Sequence, residues 1–103
     1  MKNMGGLLQQ AQQMQKKMME IDRKLHEAEV EGVVSGGLVK VTMSGKGNVK
    51  KIKIDPSLKE DIEVIEDLLL AAISEAKKNA DILSENEMKA ATGGMPLPPG
   101  LKI

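Results

Sequence analysis

The chain contains no cysteine, tryptophan, tyrosine or phenylalanine. Without cysteine there are no disulfides, no thiolate nucleophile and no Cys-based zinc site. Without aromatic rings there is no platform on which unpaired bases could stack. No run of 18 apolar residues is present, so nothing reads as a membrane span, and the opening MKNMGGLLQQ has no signal-peptide apolar core. A single histidine, His26, has no second His or Cys to complete a metal site, and none of the serines is partnered with it by pattern. What remains is 103 residues, about one domain's worth. Fifteen basic residues balance fifteen acidic ones, and the core must come from Leu, Ile, Val, Ala and eight Met. So small a chain, packed without rings, leans toward an oligomer.

The clearest pattern lies in residues 4–28. Met4, Leu7, Ala11, Met14, Met18, Ile21, Leu25 and Ala28 are spaced alternately by three and four, a heptad repeat among good helix formers. The spacing predicts a helix over about 5–29, with Leu7, Ala11, Met14, Met18, Ile21 and Leu25 as its seam. Such a helix is about 37 Å long, whereas a strand of six or seven residues spans about 20–23 Å. A small sheet therefore cannot shelter the whole seam. The overhanging half must meet a second helix, a second protomer, or both, and a homodimer is the expectation.

Residues 30–55 are rich in Val and Ile and broken by Gly36-Gly37 and Gly45-Lys46-Gly47-Asn48. They predict three antiparallel strands near 30–35, 38–44 and 48–54. Val39, Val41 and Met43 share one face, and Ile52 and Ile54 face inward. Lys50 has the parity of the inward face, so an edge position or a bulge must release it. Asp55-Pro56-Ser57 ends the third strand. Ser57-Leu58-Lys59-Glu60 has capping-box spacing, predicting a second helix over about 58–90. Residues 1–91 then form one α+β domain. Residues 92–103, with three Pro and three Gly, form a flexible tail.

Charge is segregated. Residues 40–53 hold five lysines and no acid, whereas residues 54–67 hold six acids and one lysine. A neutral total thus conceals a basic sheet and an acidic helix start. Lysines on a sheet also block edge aggregation, so charge alone leaves phosphate binding and ordinary solvation open. No P-loop is present: Gly45-Lys46-Gly47 lacks the longer Gly-Lys-Ser/Thr spacing and reads as a hairpin turn, with Lys46 at its tip. No helix-turn-helix or zinc-finger pattern appears either. No catalytic residue, metal ligand or cofactor site is assigned, and the chain is not read as an enzyme.

The order of several segments nevertheless resembles the YbaB/EbfC family of bacterial nucleoid-associated proteins. They are Leu8-Gln9-Gln10-Ala11-Gln12-Gln13-Met14-Gln15-Lys16-Lys17-Met18, Gly37-Leu38-Val39-Lys40-Val41-Thr42-Met43-Ser44-Gly45, and Ile52-Lys53-Ile54-Asp55-Pro56-Ser57-Leu58. Glu66-Asp67-Leu68, Ala71-Ala72 and the tail Gly94-Met95-Pro96-Leu97-Pro98-Pro99-Gly100-Leu101 follow in order. The resemblance implies an α-β-β-β-α protomer and a tweezer-like homodimer, located in the cytoplasm with the nucleoid. It implies binding to double-stranded DNA, with changes in DNA conformation and gene expression. It implies no required cofactor, and neither a membrane nor a small-molecule substrate is expected as partner. Phosphate contacts of low sequence specificity are assigned first to Lys46, Lys50, Lys51 and Lys53, then to Lys16, Lys17, Arg23 and Lys24 on the first helix. The alternative is a protein-interaction or chaperone-like clamp that binds no DNA.

Overall fold

The computed structural model describes residues 4–92. Helix α1 (Met4–Glu27) leads into strands β1 (Glu29–Val34), β2 (Val39–Ser44) and β3 (Val49–Ile54), and helix α2 (Ile62–Thr92) follows. The strands form one antiparallel sheet in the order β1-β2-β3. The expected α-β-β-β-α order holds. The expected tail lies, from residue 93 onward, outside the described residues.

One face of the sheet is apolar because register and parity agree. Val30 pairs with Met43, Gly32 with Val41 and Val34 with Val39, and on the other side Val41 pairs with Ile52 and Val39 with Ile54. Helix α2, and not α1, covers this face. Its Ala72, Ala76 and Ala80 are buried with Val39, Val41, Met43 and Leu58. Alanine at every fourth position makes a smooth stripe, and the strand beneath it carries Gly32. A Cβ on Gly32 would lie 2.0 Å from the Ala72 carbonyl oxygen and 2.5 Å from the Ala76 nitrogen. The helix backbone therefore rests almost directly on β1. The Asn79 amide also donates to the Glu31 carbonyl at 2.7 Å, occupying part of the sheet edge that β1 leaves open.

Helix α1 sits at the end of this sandwich. Its Ile21 and Leu25 are buried against Met88 of α2, with Met18, Leu83 and Ala91 around them. The β2–β3 turn holds it from the other side. A Cβ on Gly45 would come within 2.9 Å of Leu25, and the Gly45 N–H donates to the Ala28 carbonyl at 3.2 Å. The buried Ser44 hydroxyl accepts the N–H groups of Lys46 and Asn48, both at 3.2 Å, and so leaves no polar atom wanting in this joint. Beyond the joint the helix is uncovered. Leu7 and Leu8 are more than 60% exposed, and Ala11 and Met14 are exposed as well. The protomer is accordingly elongated, with principal extents of 71 × 20 × 18 Å. The seam divides: its C-terminal half is intramolecular, and its N-terminal half meets nothing among the described residues.

Two local expectations are corrected. The second helix does not start at residue 58. Asp55 accepts the Ser57 N–H at 2.9 Å, and Pro56–Leu58 forms a short 3-10 turn that buries Leu58. The α-helix begins only at Ile62. Strand β3 also turns less of itself inward than predicted. Ile52 has the parity of the core face but is 45% exposed, because α2 lies over β1 and β2 and leaves the edge strand bare. Lys50 is released in both ways envisaged: the strand is an edge, and the register slips between Thr42↔Lys51 and Met43↔Val49, leaving Lys50 as the extra residue.

Candidate nucleic-acid interface

The face of the sheet opposite α2 is built by alternation. Residues out of phase with the core are Glu29, Glu31 and Val33 on β1, Lys40 and Thr42 on β2, and Lys51 and Lys53 on β3. Together with the bulged Lys50, this puts four lysines and two glutamates on one surface. Lys40 lies 3.5 Å from Glu31 and Lys50 lies 3.7 Å from Glu29. Among the described residues, neither Lys51 nor Lys53 has a carboxylate within ion-pair distance. Lys53 nonetheless adds to the field that, after the hydrogen bonds from Ser57, holds the Asp55 carboxyl below its usual range.

Register adds a detail that composition cannot show. Lys40 and Lys53 are direct cross-strand partners. Like charges facing each other across a sheet work against folding. A surface built this way is suited to an anion that lies across it. The larger cluster of acidic groups lies elsewhere: Glu60, Asp61, Glu63, Glu66 and Asp67 are exposed at the start of the helical layer, on the other side of the sheet. A protomer of zero net charge therefore carries an electrostatic polarity across its thickness.

The remaining basic candidates separate. Lys46 is not displayed at the hairpin tip. It folds back onto Asp22 of α1, its side chain only 21% exposed, and its hydrogen bond holds the Asp22 carboxyl below the usual carboxylate range. Its position makes it part of the joint that fixes α1. Lys24 bridges to Glu87 of α2 at 3.2 Å. Lys16, Lys17 and Arg23 are exposed on α1, and no carboxylate lies within ion-pair distance of them among the described residues. Sequence alone does not single out Lys40: alternation with Val39 and Val41 gives its face, but only the register shows that it faces Lys53. His26 is exposed, 3.9 Å from Asp22. Among the described residues no group of three or more His, Cys, Asp or Glu could hold a metal ion, and no helix is long and apolar enough to cross a membrane.

Comparison with known proteins gives a consistent result. Over 100 residues the chain is 48% identical to a nucleoid-associated protein of Polynucleobacter necessarius, covering 97% of this chain and 94% of that one. Over 105 residues it is 50% identical to a nucleoid-associated protein of Paramagnetospirillum magneticum, covering 100% and 98% respectively. The fold is similar to the crystal structure of an uncharacterized protein from Helicobacter pylori. The TM-score is 0.70 at 28% identity, over 90% of this chain and 94% of that one. The model of the YbaB/EbfC DNA-binding family matches residues 1–95. With a match of that extent and relatives of that identity, the chain belongs to the YbaB/EbfC DNA-binding family.

Proposed function

We propose that this protein binds double-stranded DNA by phosphate contacts from the outer face of its sheet, with low sequence specificity. Lys51, Lys53 and Lys40 form the centre of the contact and the bulged Lys50 flanks them. Lys16, Lys17 and Arg23 of α1 extend it, and Lys24 and Lys46 contribute through the positions their ion pairs hold. The single observation that carries this reading is the Lys40–Lys53 cross-strand pair, a placement that folding disfavours and a polyanion relieves. Contacts of this kind position the duplex without selecting a sequence. The acidic helical layer repels phosphates and orients the protein with its sheet toward the DNA.

The acting species in this reading is a homodimer. The uncovered half of the α1 seam, Leu7, Ala11 and Met14, is an apolar stripe whose exposure costs about 25 cal/mol per Å², and a second copy of the same helix covers it. A dimer doubles the basic face and can hold two points of one duplex, altering its path and with it gene expression. The protein then works as a binding component of the bacterial nucleoid, in the cytoplasm, and not as an enzyme. Duplex retardation across a salt series tests the reading. With six to ten phosphate contacts per dimer, affinity should fall by about three to five decades between 50 and 200 mM salt. Affinity that does not change with salt would remove the phosphate contact from the account.

A further inference from the structure

Helix α1 meets the rest of the protein through a small joint, and the contacts in that joint differ in kind. Ile21 and Leu25 are buried against Met88 of α2. Burial of this sort is non-directional, so it holds the helix down without fixing its angle. Two ion pairs supply direction. At about 100° per residue, Asp22 and Lys24 stand about 80° to either side of the Ile21/Leu25 stripe. Lys24 reaches Glu87 of α2 at 3.2 Å, and Asp22 accepts a hydrogen bond from the Lys46 ammonium in the β2–β3 turn. The buried stripe is thus clamped on both flanks, once to a helix and once to the sheet.

The two clamps are not equal. The Lys24 side chain is 67% exposed and the Lys46 side chain 21%, so water and salt screen the first more than the second. Lys46 also starts from a rigid base. Its N–H and that of Asn48 both donate to the buried Ser44 hydroxyl. The Ser44 N–H donates to the Asn48 carbonyl at 2.8 Å, and the Ser44 carbonyl accepts the Gly47 N–H at 2.9 Å. His26 lies 3.9 Å from Asp22, but it is one turn along the same helix and ties α1 to nothing else through that contact. Asp22 therefore connects the arm that carries Lys16, Lys17 and Arg23 to the turn from which β3, with Lys50, Lys51 and Lys53, begins.

We infer that Asp22 is a positioning residue for DNA binding: through Lys46 it sets the angle of the α1 arm to the sheet, so that the two groups of cations meet one duplex together. The inference rests on the DNA reading above and adds to it an acid that strengthens binding to a polyanion. Two patches held in fixed relation act as a bivalent contact, the second binding at high effective concentration once the first has bound. An arm free to swing gives up part of that advantage. The sign of the effect is diagnostic. By charge alone, neutralising an acid among basic residues raises affinity for DNA. For a positioning residue, neutralisation lowers it.

Duplex retardation by the full-length chain at moderate salt reads that sign. Asp22→Asn should weaken binding about threefold to tenfold, whereas Glu20→Gln, an exposed acid on the same helix, should leave it unchanged or tighter. Unchanged or tighter binding by Asp22→Asn overturns the proposal. With Lys16, Lys17 and Arg23 changed to Gln, Asp22→Asn should have no further effect. An undiminished loss in that background overturns the positioning role, because a general weakening of the fold would persist there. Exchanging the pair, Asp22→Lys with Lys46→Glu, should recover binding to within about twofold of wild type, and a double variant no better than Lys46→Glu alone overturns it. The arm's angle is also measurable without DNA. The chain has no cysteine, so spin labels on Gln13→Cys and Glu66→Cys, both exposed, report it in labelled chain diluted into unlabelled chain. The distance distribution should be narrow in the otherwise wild-type chain and broad with Asp22→Asn. An unchanged width overturns the inference, whereas a wild type that shows no salt-dependent duplex binding overturns the DNA reading instead.

Discussion

Changing Lys51 and Lys53 together to glutamate is expected to lower affinity for duplex DNA by about 100-fold at moderate salt, and to reduce the salt slope by about two per chain bound. The effect should be this large because these lysines are the two on the basic face with no carboxylate at ion-pair distance among the described residues, and reversal replaces attraction with repulsion. The same substitution should leave stability unchanged or raise it slightly. Glutamate at 53 would face Lys40 across the strands, turning a like-charge pair into an opposite-charge one worth about 0.2–1 kcal/mol. Binding lost while thermal stability holds is the signature of a contact residue and not of a misfolded sheet. Lys78→Glu, exposed on α2, is the control and should stay within about twofold of wild type. Equal losses in both variants would show that only total charge matters.

The second large effect concerns the fold. Gly32→Ala is expected to destabilise the protein by about 3 kcal/mol or more, lowering the melting temperature by at least about 10 °C. The added methyl would meet the Ala72 carbonyl oxygen and the Ala76 nitrogen. These are backbone atoms of α2, so no side chain can rotate away and the whole helix must lift from the sheet. Lifting it would open the packing of Ala72, Ala76 and Ala80 on Val39 and Val41. A Gly32→Ala protein that melts with the wild type would mean that α2 does not lie where the structure has it.

These two cases illustrate what a sequence makes legible. The α1 heptad, the three Val/Ile-rich segments and the acidic start of α2 could be read directly, because each is a local periodicity or a local composition. So could the basic face, since alternation fixes parity within a strand. What could not be read is which helix lies on the sheet. Both α1 and α2 have apolar stripes. The choice rests on a pairing between Gly32 and the Ala72/Ala76/Ala80 stripe, residues forty and more positions apart. The fate of Lys46 is similar. A lysine in a glycine turn reads as displayed, and only the three-dimensional placement of Asp22 draws it back. The helix start at Ile62 is not legible because Ser57 has two uses. Its spacing to Glu60 suggests a cap, yet its own N–H is taken by Asp55, which closes a 3-10 turn first.

The claim on which the account turns is that the duplex lies across the outer face of the sheet. Titrating isotope-labelled protein with a short duplex and following backbone amide and lysine side-chain NMR signals tests it most directly. The account predicts shifts concentrated at Lys40, Thr42, Lys51 and Lys53, extending to Lys16, Lys17 and Arg23, with Glu60, Glu63 and Asp67 unmoved. Shifts centred instead on the helical layer or on the bare apolar end of α1, with the sheet lysines silent, would contradict it.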